Sequence, residues 1–168
     1  MRRYLLVFVL GMLAPLVALI ALGLAGLLPV RATARPPRFE AAIADRALMA
    51  RIALDARGLK NPVRADEATL LAGLKSYRQD CAGCHGTAAR PSTWGARNFY
   101  PRVPQFAQGG ADMSDAEMFV VVKYGIRYTG MAGWEGMASD EEIWRMVTFL
   151  SHLRTLPPAV AGAWRVQP

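Results

Sequence analysis

Cysteine and histidine are scarce in this chain of 168 residues, which contains only two of each. The two cysteines lie three positions apart, and such a pair closes too small a loop to act as a disulfide framework. A structural zinc site is also disfavoured because it needs four ligands. The chain offers Cys81, Cys84, His85 and His152 at irregular spacing. The two cysteines therefore need another explanation.

Charge is absent from one long stretch and balanced in another. Residues 4–30 contain no charged side chain. Residues 66–168 contain ten basic and ten acidic side chains, so the net charge of +7 comes from the first 65 residues. A neutral C-terminal part disfavours binding to a nucleic-acid backbone, and we predict no nucleic-acid partner. Basic residues flanking an apolar segment are typical of a membrane anchor that faces anionic headgroups.

The first 35 residues are predicted to be an N-terminal transmembrane anchor. The apolar run is about 27 residues long, whereas about 20 residues cross a bilayer core and the apolar region of a signal peptide has about 7–15. This length favours retention of the segment. Ala32-Thr33-Ala34 is the alternative, because a signal peptidase can cut after such a small-x-small pattern.

Residues 36–65 are predicted to be a juxtamembrane arm that contains a short helix. Pro36 and Pro37 favour an extended start. Residues 39–58 then place apolar side chains at helical spacing, and Gly58 suits the end of the helix. The apolar positions are Phe39, Ile43, Ala47, Ala50 and Leu54. Two interpretations stay open: a plain spacer, or a helix that docks on the membrane or on a partner subunit.

The motif that carries chemistry is Cys81-Ala82-Gly83-Cys84-His85, which follows a predicted helix over residues 66–80. Cys-x-x-Cys-His is the attachment signature of c-type haem. A thioredoxin-like redox pair would need a βαβ setting, and nothing before Cys81 resembles a strand. We predict one haem c per chain, bound covalently through Cys81 and Cys84, with His85 as an axial ligand of the iron. Covalent haem attachment takes place outside the cytoplasm, which predicts a bacterial inner-membrane protein with its haem domain on the periplasmic face.

A second segment, residues 123–136 with the sequence KYGIRYTGMAGWEG, strengthens this interpretation. Together with a haem motif placed after a single helix, it resembles class I cytochrome c domains that serve as electron-transfer subunits of bacterial membrane complexes and dehydrogenases. The resemblance implies an all-α fold with a cytochrome c domain over residues 66–168. It also implies Met131 as the sixth iron ligand, with Gly130 and Gly133 letting the chain bend around it. Met137 and His152 remain the competing ligands.

The same resemblance implies contacts within the domain. The first helix should cross the last one, with Gly73 and Tyr77 packed against Trp144 and Phe149. The long loop over residues 87–110 should supply a proline carbonyl, from Pro101 or Pro104, that accepts the Nδ1 proton of the haem-ligating histidine.

The predicted function is therefore one-electron transfer by a haem with His/Met ligation, rather than catalysis. We expect the membrane and redox partner proteins, such as subunits of a respiratory or dehydrogenase complex, as partners, and no small-molecule substrate. The alternative is a haem enzyme or gas sensor with an open sixth coordination position, as in a peroxidase.

Overall fold

The computed structural model describes residues 1–166, which form helices and loops without a β-strand among them. The chain divides into two compact units, Met1–Ala34 and the described residues from Arg35 onward. The prediction of an all-α fold, with an apolar helix and an arm helix ahead of the principal helical domain, is confirmed.

The first unit contains a single helix, α1 (Arg2–Leu24), that buries none of its side chains within the structure. Its 23 residues extend about 35 Å at 1.5 Å per residue, which exceeds the roughly 30 Å of a bilayer core. Within residues 1–166, it is the one helix long and apolar enough to cross a membrane. The helix ends before the uncharged run does, because the chain turns at Ala25 and Gly26.

The arm helix, α2 (Arg38–Asp55), joins the second unit through its C-terminal half. Ile52 is only 4% exposed, and α2 contacts α6 (Asp115–Tyr124), a helix of the same domain. Just after α2, the side-chain amide of Asn61 donates hydrogen bonds to Asp115 Oδ2 at 2.7 Å and to Thr148 Oγ1 at 2.8 Å. This part of the arm is therefore packed on the domain and is not a free spacer.

The core forms where α3 (Glu67–Asp80) crosses α7 (Asp140–Ser151). Gly73 permits the crossing, because a Cβ there would overlap the carbonyl oxygen of Arg145. Tyr77 meets Phe149 with the ring centroids 5.8 Å apart, as expected. Trp144 belongs to the same buried core and stacks on Phe119 of α6, with ring centroids 4.1 Å apart.

Three short helices were not predicted. A terminal helix, α8 (Pro158–Arg165), begins with proline and packs Trp164 edge-on against both Tyr77 and Phe149, with centroids 5.5 Å apart in each case. The long loop after the haem motif contains α5 (Thr93–Asn98) and a 3-10 turn, Phe106–Gln108. These elements fill much of the sequence between the motif and α6.

Candidate haem-binding site

The Cys-x-x-Cys-His motif lies in a single turn of helix, α4 (Ala82–His85), that directly continues α3. The backbone N–H of Cys81 donates to the carbonyl of Tyr77 at 2.8 Å, and that of His85 donates to the carbonyl of Cys81 at 2.9 Å. Both cysteines are partly buried free thiols. The helical turn therefore gathers the two predicted attachment residues and the predicted ligand at one place.

Cys81 lies at the edge of the core, with its Sγ 3.5 Å from Met146 Sδ on α7. Burial, reinforced by the nearby Asp80 carboxylate and the Cys84 sulfur, raises the pKa of the Cys81 thiol to about 12. The thiol is thus protonated at neutral pH, in the folded chain without its thioether.

The imidazole of His85 is fixed in orientation by two residues of the long loop. Its Nδ1 lies 2.8 Å from the carbonyl oxygen of Pro104, to which the Nδ1–H donates. The ring stacks on Phe106 with centroids 4.8 Å apart and planes 2° from parallel. Burial lowers the pKa of His85, against the opposing effect of this hydrogen bond. The neutral ring therefore keeps an unshared Nε2 lone pair, which is the form that binds metals.

Of the two prolines considered, Pro104 is the residue that accepts from His85. Its neighbour Gln105 ties the loop to the motif, because its side-chain amide donates to the carbonyl of Cys84 at 2.9 Å and its oxygen accepts from the backbone of Ser92 at 2.7 Å. Gly95 on α5 allows this approach, since a Cβ there would overlap the Cys84 carbonyl.

The loop that carries Met131 is braced against the end of α6. The Met131 carbonyl accepts from the N–H of Ile126 at 2.9 Å, and its own N–H donates to Thr129 Oγ1 at 3.1 Å. The backbone N–H of Trp134 donates to the carbonyl of Lys123 at 2.9 Å. Gly130 and Gly133 were expected to let the chain bend, and Gly130 has a second role. Gly130, with its Cα against the Phe99 ring, leaves no room there for a Cβ.

The three competing ligands occupy different surroundings. Met131 is partly buried against the core, whereas the side chain of Met137 is 79% exposed. His152 uses Nδ1 to contact the carbonyl of Thr148 at 2.8 Å, one turn back along its own helix. These surroundings favour Met131, and its assignment as the sixth ligand stays a prediction.

The donor set suits a c-type haem and does not suit a bare metal ion. The chain places two thiols, a neutral imidazole and a thioether in the same domain, and these are the groups that attach and ligate haem in cytochromes c. The Thr87 hydroxyl, two residues past His85, is buried with no hydrogen-bond partner among the described residues. Within that same range, no three His, Cys, Asp or Glu side chains converge as a metal site.

Sequence reasoning missed two aromatic residues at this site. Phe106 stacks on His85, and Phe99 packs beneath Gly130, so one residue supports each predicted ligand. Both occur in the segment NFYPRVPQF of the long loop. The several aromatic residues in this one loop were the sequence signal that could have indicated packing against the site.

Comparison with known proteins identifies the domain. Residues 68–150, just under half of the chain, match the family described as cytochrome c oxidase, cbb3-type, subunit III. A chain of the reducing HAO-like protein complex of Kuenenia stuttgartiensis is similar at 26% identity with a TM-score of 0.46. The match covers 57% of this chain and 47% of that one, so the chain spans less than half of its length. No curated protein gave a significant match.

The helices around the motif and the family match together define a cytochrome c domain, which confirms the predicted class. Cytochrome c domains bind c-type haem covalently and transfer electrons. This is the class of the segment over residues 68–150, behind an apolar N-terminal helix.

Proposed function

We propose that this chain is a membrane-anchored, one-electron carrier that holds a single haem c. Cys81 and Cys84 would form the two thioethers, and His85 and Met131 would ligate the iron. When bound, such a group accepts and releases one electron at a time. The chain's own residues attach it, fix the orientation of its ligands and exclude water from it.

The orientation of His85 is the observation that carries this proposal. A haem-ligating imidazole needs a neutral ring with one nitrogen held by an acceptor and the other free. His85 meets these needs through the 2.8 Å contact of Nδ1 with the Pro104 carbonyl. The stacked ring of Phe106 then limits rotation about the side chain.

Ligation by Met131 would leave no open coordination position, which is the basis for proposing a carrier and not an enzyme. The braced loop around Met131 supports this role, because its backbone is fixed by hydrogen bonds to the end of α6. The proposed partners are redox proteins within a membrane oxidoreductase complex, and none is a small-molecule substrate. They would meet the domain on the periplasmic side, with α1 in the bacterial inner membrane.

Covalent attachment and ligation are tested separately. In the variant with both Cys81→Ala and Cys84→Ala, we expect acidic acetone to extract all haem. Haem that stays bound in that variant contradicts the proposed attachment.

The sixth ligand is tested with a matched pair of methionine variants. Met131→Ala should abolish the weak long-wavelength absorption band of methionine-ligated ferric haem and open the ferrous iron to carbon monoxide. Its reduction potential should fall by on the order of 0.1 V, within the roughly 0.8 V range that axial ligands control. Met137→Ala should leave all three properties unchanged. A wild-type ferrous protein that already binds carbon monoxide readily would instead favour the enzyme or sensor alternative.

A further inference from the structure

The arm helix α2 has two apolar faces, and only one is used within the domain. The inner face consists of Ala41, Leu48 and Ile52, which are partly or fully buried. The other face, which we call the outer stripe, consists of Phe39, Ile43, Ala47, Ala50 and Leu54, all exposed. The outer stripe repeats at intervals of three and four residues and therefore runs along one side of the helix.

The outer stripe contains large side chains that are open to solvent. Phe39 is 69% exposed and Ile43 is 67% exposed. Both are far more exposed than Ile52 on the inner face, which is 4% exposed. A contiguous exposed apolar strip of this kind marks an interaction surface.

Charge around the outer stripe identifies the kind of surface it fits. Residues 25–65 contain eight basic and three acidic side chains, a net charge of +5. The haem domain that follows is neutral, so this positive charge is confined to the arm. Arg46 lies three residues after Ile43 and borders the outer stripe, as does Glu40, three residues before Ile43; Arg57 lies in the turn just after α2, and all three are exposed. An apolar strip bordered by arginines suits an anionic lipid surface.

The distance along the chain supports the same occupant. Only 14 residues separate the end of α1 at Leu24 from Phe39 at the start of the outer stripe. Even fully extended, they reach about 46–50 Å. If α1 crosses the membrane as proposed, the outer stripe is restricted to that distance from the lipid, which raises its effective concentration there. A soluble protein partner would have no comparable advantage.

We infer that the outer stripe of α2 lies in the headgroup region of an anionic membrane. Phe39, Ile43 and Leu54 insert among the acyl chains, while Arg46 and Arg57 contact lipid phosphates. Because α2 is also packed on α6 through Ile52, this contact holds the haem domain against the membrane surface. The distance argument depends on the proposed anchoring by α1. The labelling experiment below measures contact of the outer stripe with lipid and does not depend on that argument.

The test uses single added cysteines in the full-length holoprotein, whose own two cysteines are consumed by haem attachment. Ile43→Cys places a thiol on the outer stripe, and Asp45→Cys places a comparison thiol on the same side of α2 as the inner face, at a position that is itself exposed. A membrane-impermeant maleimide is applied to protein in vesicles of phosphatidylcholine alone or mixed with phosphatidylglycerol. In the anionic vesicles, we expect the thiol at position 43 to react at least about tenfold more slowly than the thiol at position 45. In vesicles of phosphatidylcholine alone, we expect no such difference.

A second variant tests the role of charge. Adding Arg46→Gln and Arg57→Gln to Ile43→Cys should restore most of the labelling rate in anionic vesicles, as should high salt. Equal rates at positions 43 and 45 in both lipids would overturn the inference. Protection at position 43 that depends on protein concentration and not on lipid charge would also overturn it, in favour of a second copy of the chain. Intact mass reports separately whether residues 1–34 are retained, so loss of the anchor is distinguished from failure of the outer stripe to bind.

Discussion

The two sides of the candidate haem site are held in different ways. On the histidine side, His85 is positioned by side-chain and carbonyl contacts from a distant loop, through Pro104 and Phe106. On the methionine side, Met131 is positioned mainly by backbone hydrogen bonds within residues 122–135. The histidine side is therefore part of the core, and damage there should cost stability. The methionine side is local, and damage there should change ligation more than it changes folding.

Phe106→Ala should have the largest effect on stability. The ring is buried and touches both Tyr77, at 6.3 Å between centroids, and His85. Removing a buried phenylalanine leaves a cavity and costs about 3–5 kcal/mol. Denaturant unfolding of the detergent-solubilised holoprotein measures the loss. Phe99→Ala is the matched control on the methionine side and should cost clearly less, since that ring is only partly buried. Equal losses would contradict the contrast between the two sides.

Gly130→Ala should act on the methionine side at moderate cost. Its new Cβ would overlap the Phe99 ring, and such overpacking typically costs about 1–3 kcal/mol. We expect weaker Met131 ligation, seen as partial loss of the long-wavelength band. Adding Phe99→Leu should restore the band in part, because the two sites share one contact. Gly162→Ala, at a position with open space around it, is the control and should keep the band intact.

Tyr77→Phe should lower the free energy of unfolding slightly, by an amount that depends on pH. The Tyr77 hydroxyl donates to the Gly86 carbonyl at 2.7 Å, and loss of this bond should cost about 1 kcal/mol at neutral pH.

Burial raises the pKa of Tyr77 above its ordinary value of 10.0. The unfolded chain then loses the proton first, so this contribution to wild-type stability is complete below pH 10.0 and declines as pH rises above it. Unfolding midpoints measured on either side of that pH should differ less in Tyr77→Phe than in the wild type. If the two midpoints differ as much in Tyr77→Phe as in the wild type, deprotonation of Tyr77 is not the cause of the loss of stability at alkaline pH.

Lys123→Met should have the smallest effect. Lys123, at the end of α6 where the methionine loop begins, pairs with Asp140 at 2.7 Å across a partly exposed surface. Such pairs contribute about 0.2–1 kcal/mol and are screened by salt. The methionine keeps the apolar part of the side chain, so the loss is that of the charge: the ion pair with Asp140 and the ammonium group 5.4 Å from the Phe119 ring centroid. The difference from wild type should shrink as salt is added. A loss that persists at high salt would indicate packing as the cause.

Features governed by short-range rules could be predicted from the sequence. The capping box of Ser139 and Glu142 indicates the start of α7, and both of its hydrogen bonds are present. Asp66 at the start of α3 likewise accepts from the Thr69 N–H at 2.8 Å. The helices that carry the haem motif and the crossing at Gly73 follow from such local signals and from the family resemblance.

Features that depend on distant partners could not be predicted. α8 has only eight residues and begins at the second of two consecutive prolines, so its sequence is too short to show a reliable helical period. The stacking of Trp144 on Phe119 joins α7 to α6, and no local pattern in the sequence indicates that pairing. The stacking of Phe106 on His85 joins residues 21 positions apart through an irregular loop, for which the sequence offers no periodic signal.

The position of Cys81 has a consequence for the order of events during synthesis. The thiol packs beside Met146 of α7, a helix made 65 residues later, and its raised pKa reduces the fraction of reactive thiolate. In a chain whose α7 has not yet packed, Cys81 would lack this neighbour. We therefore predict that the proposed thioether at Cys81 forms faster before α7 packs beside the motif than afterwards.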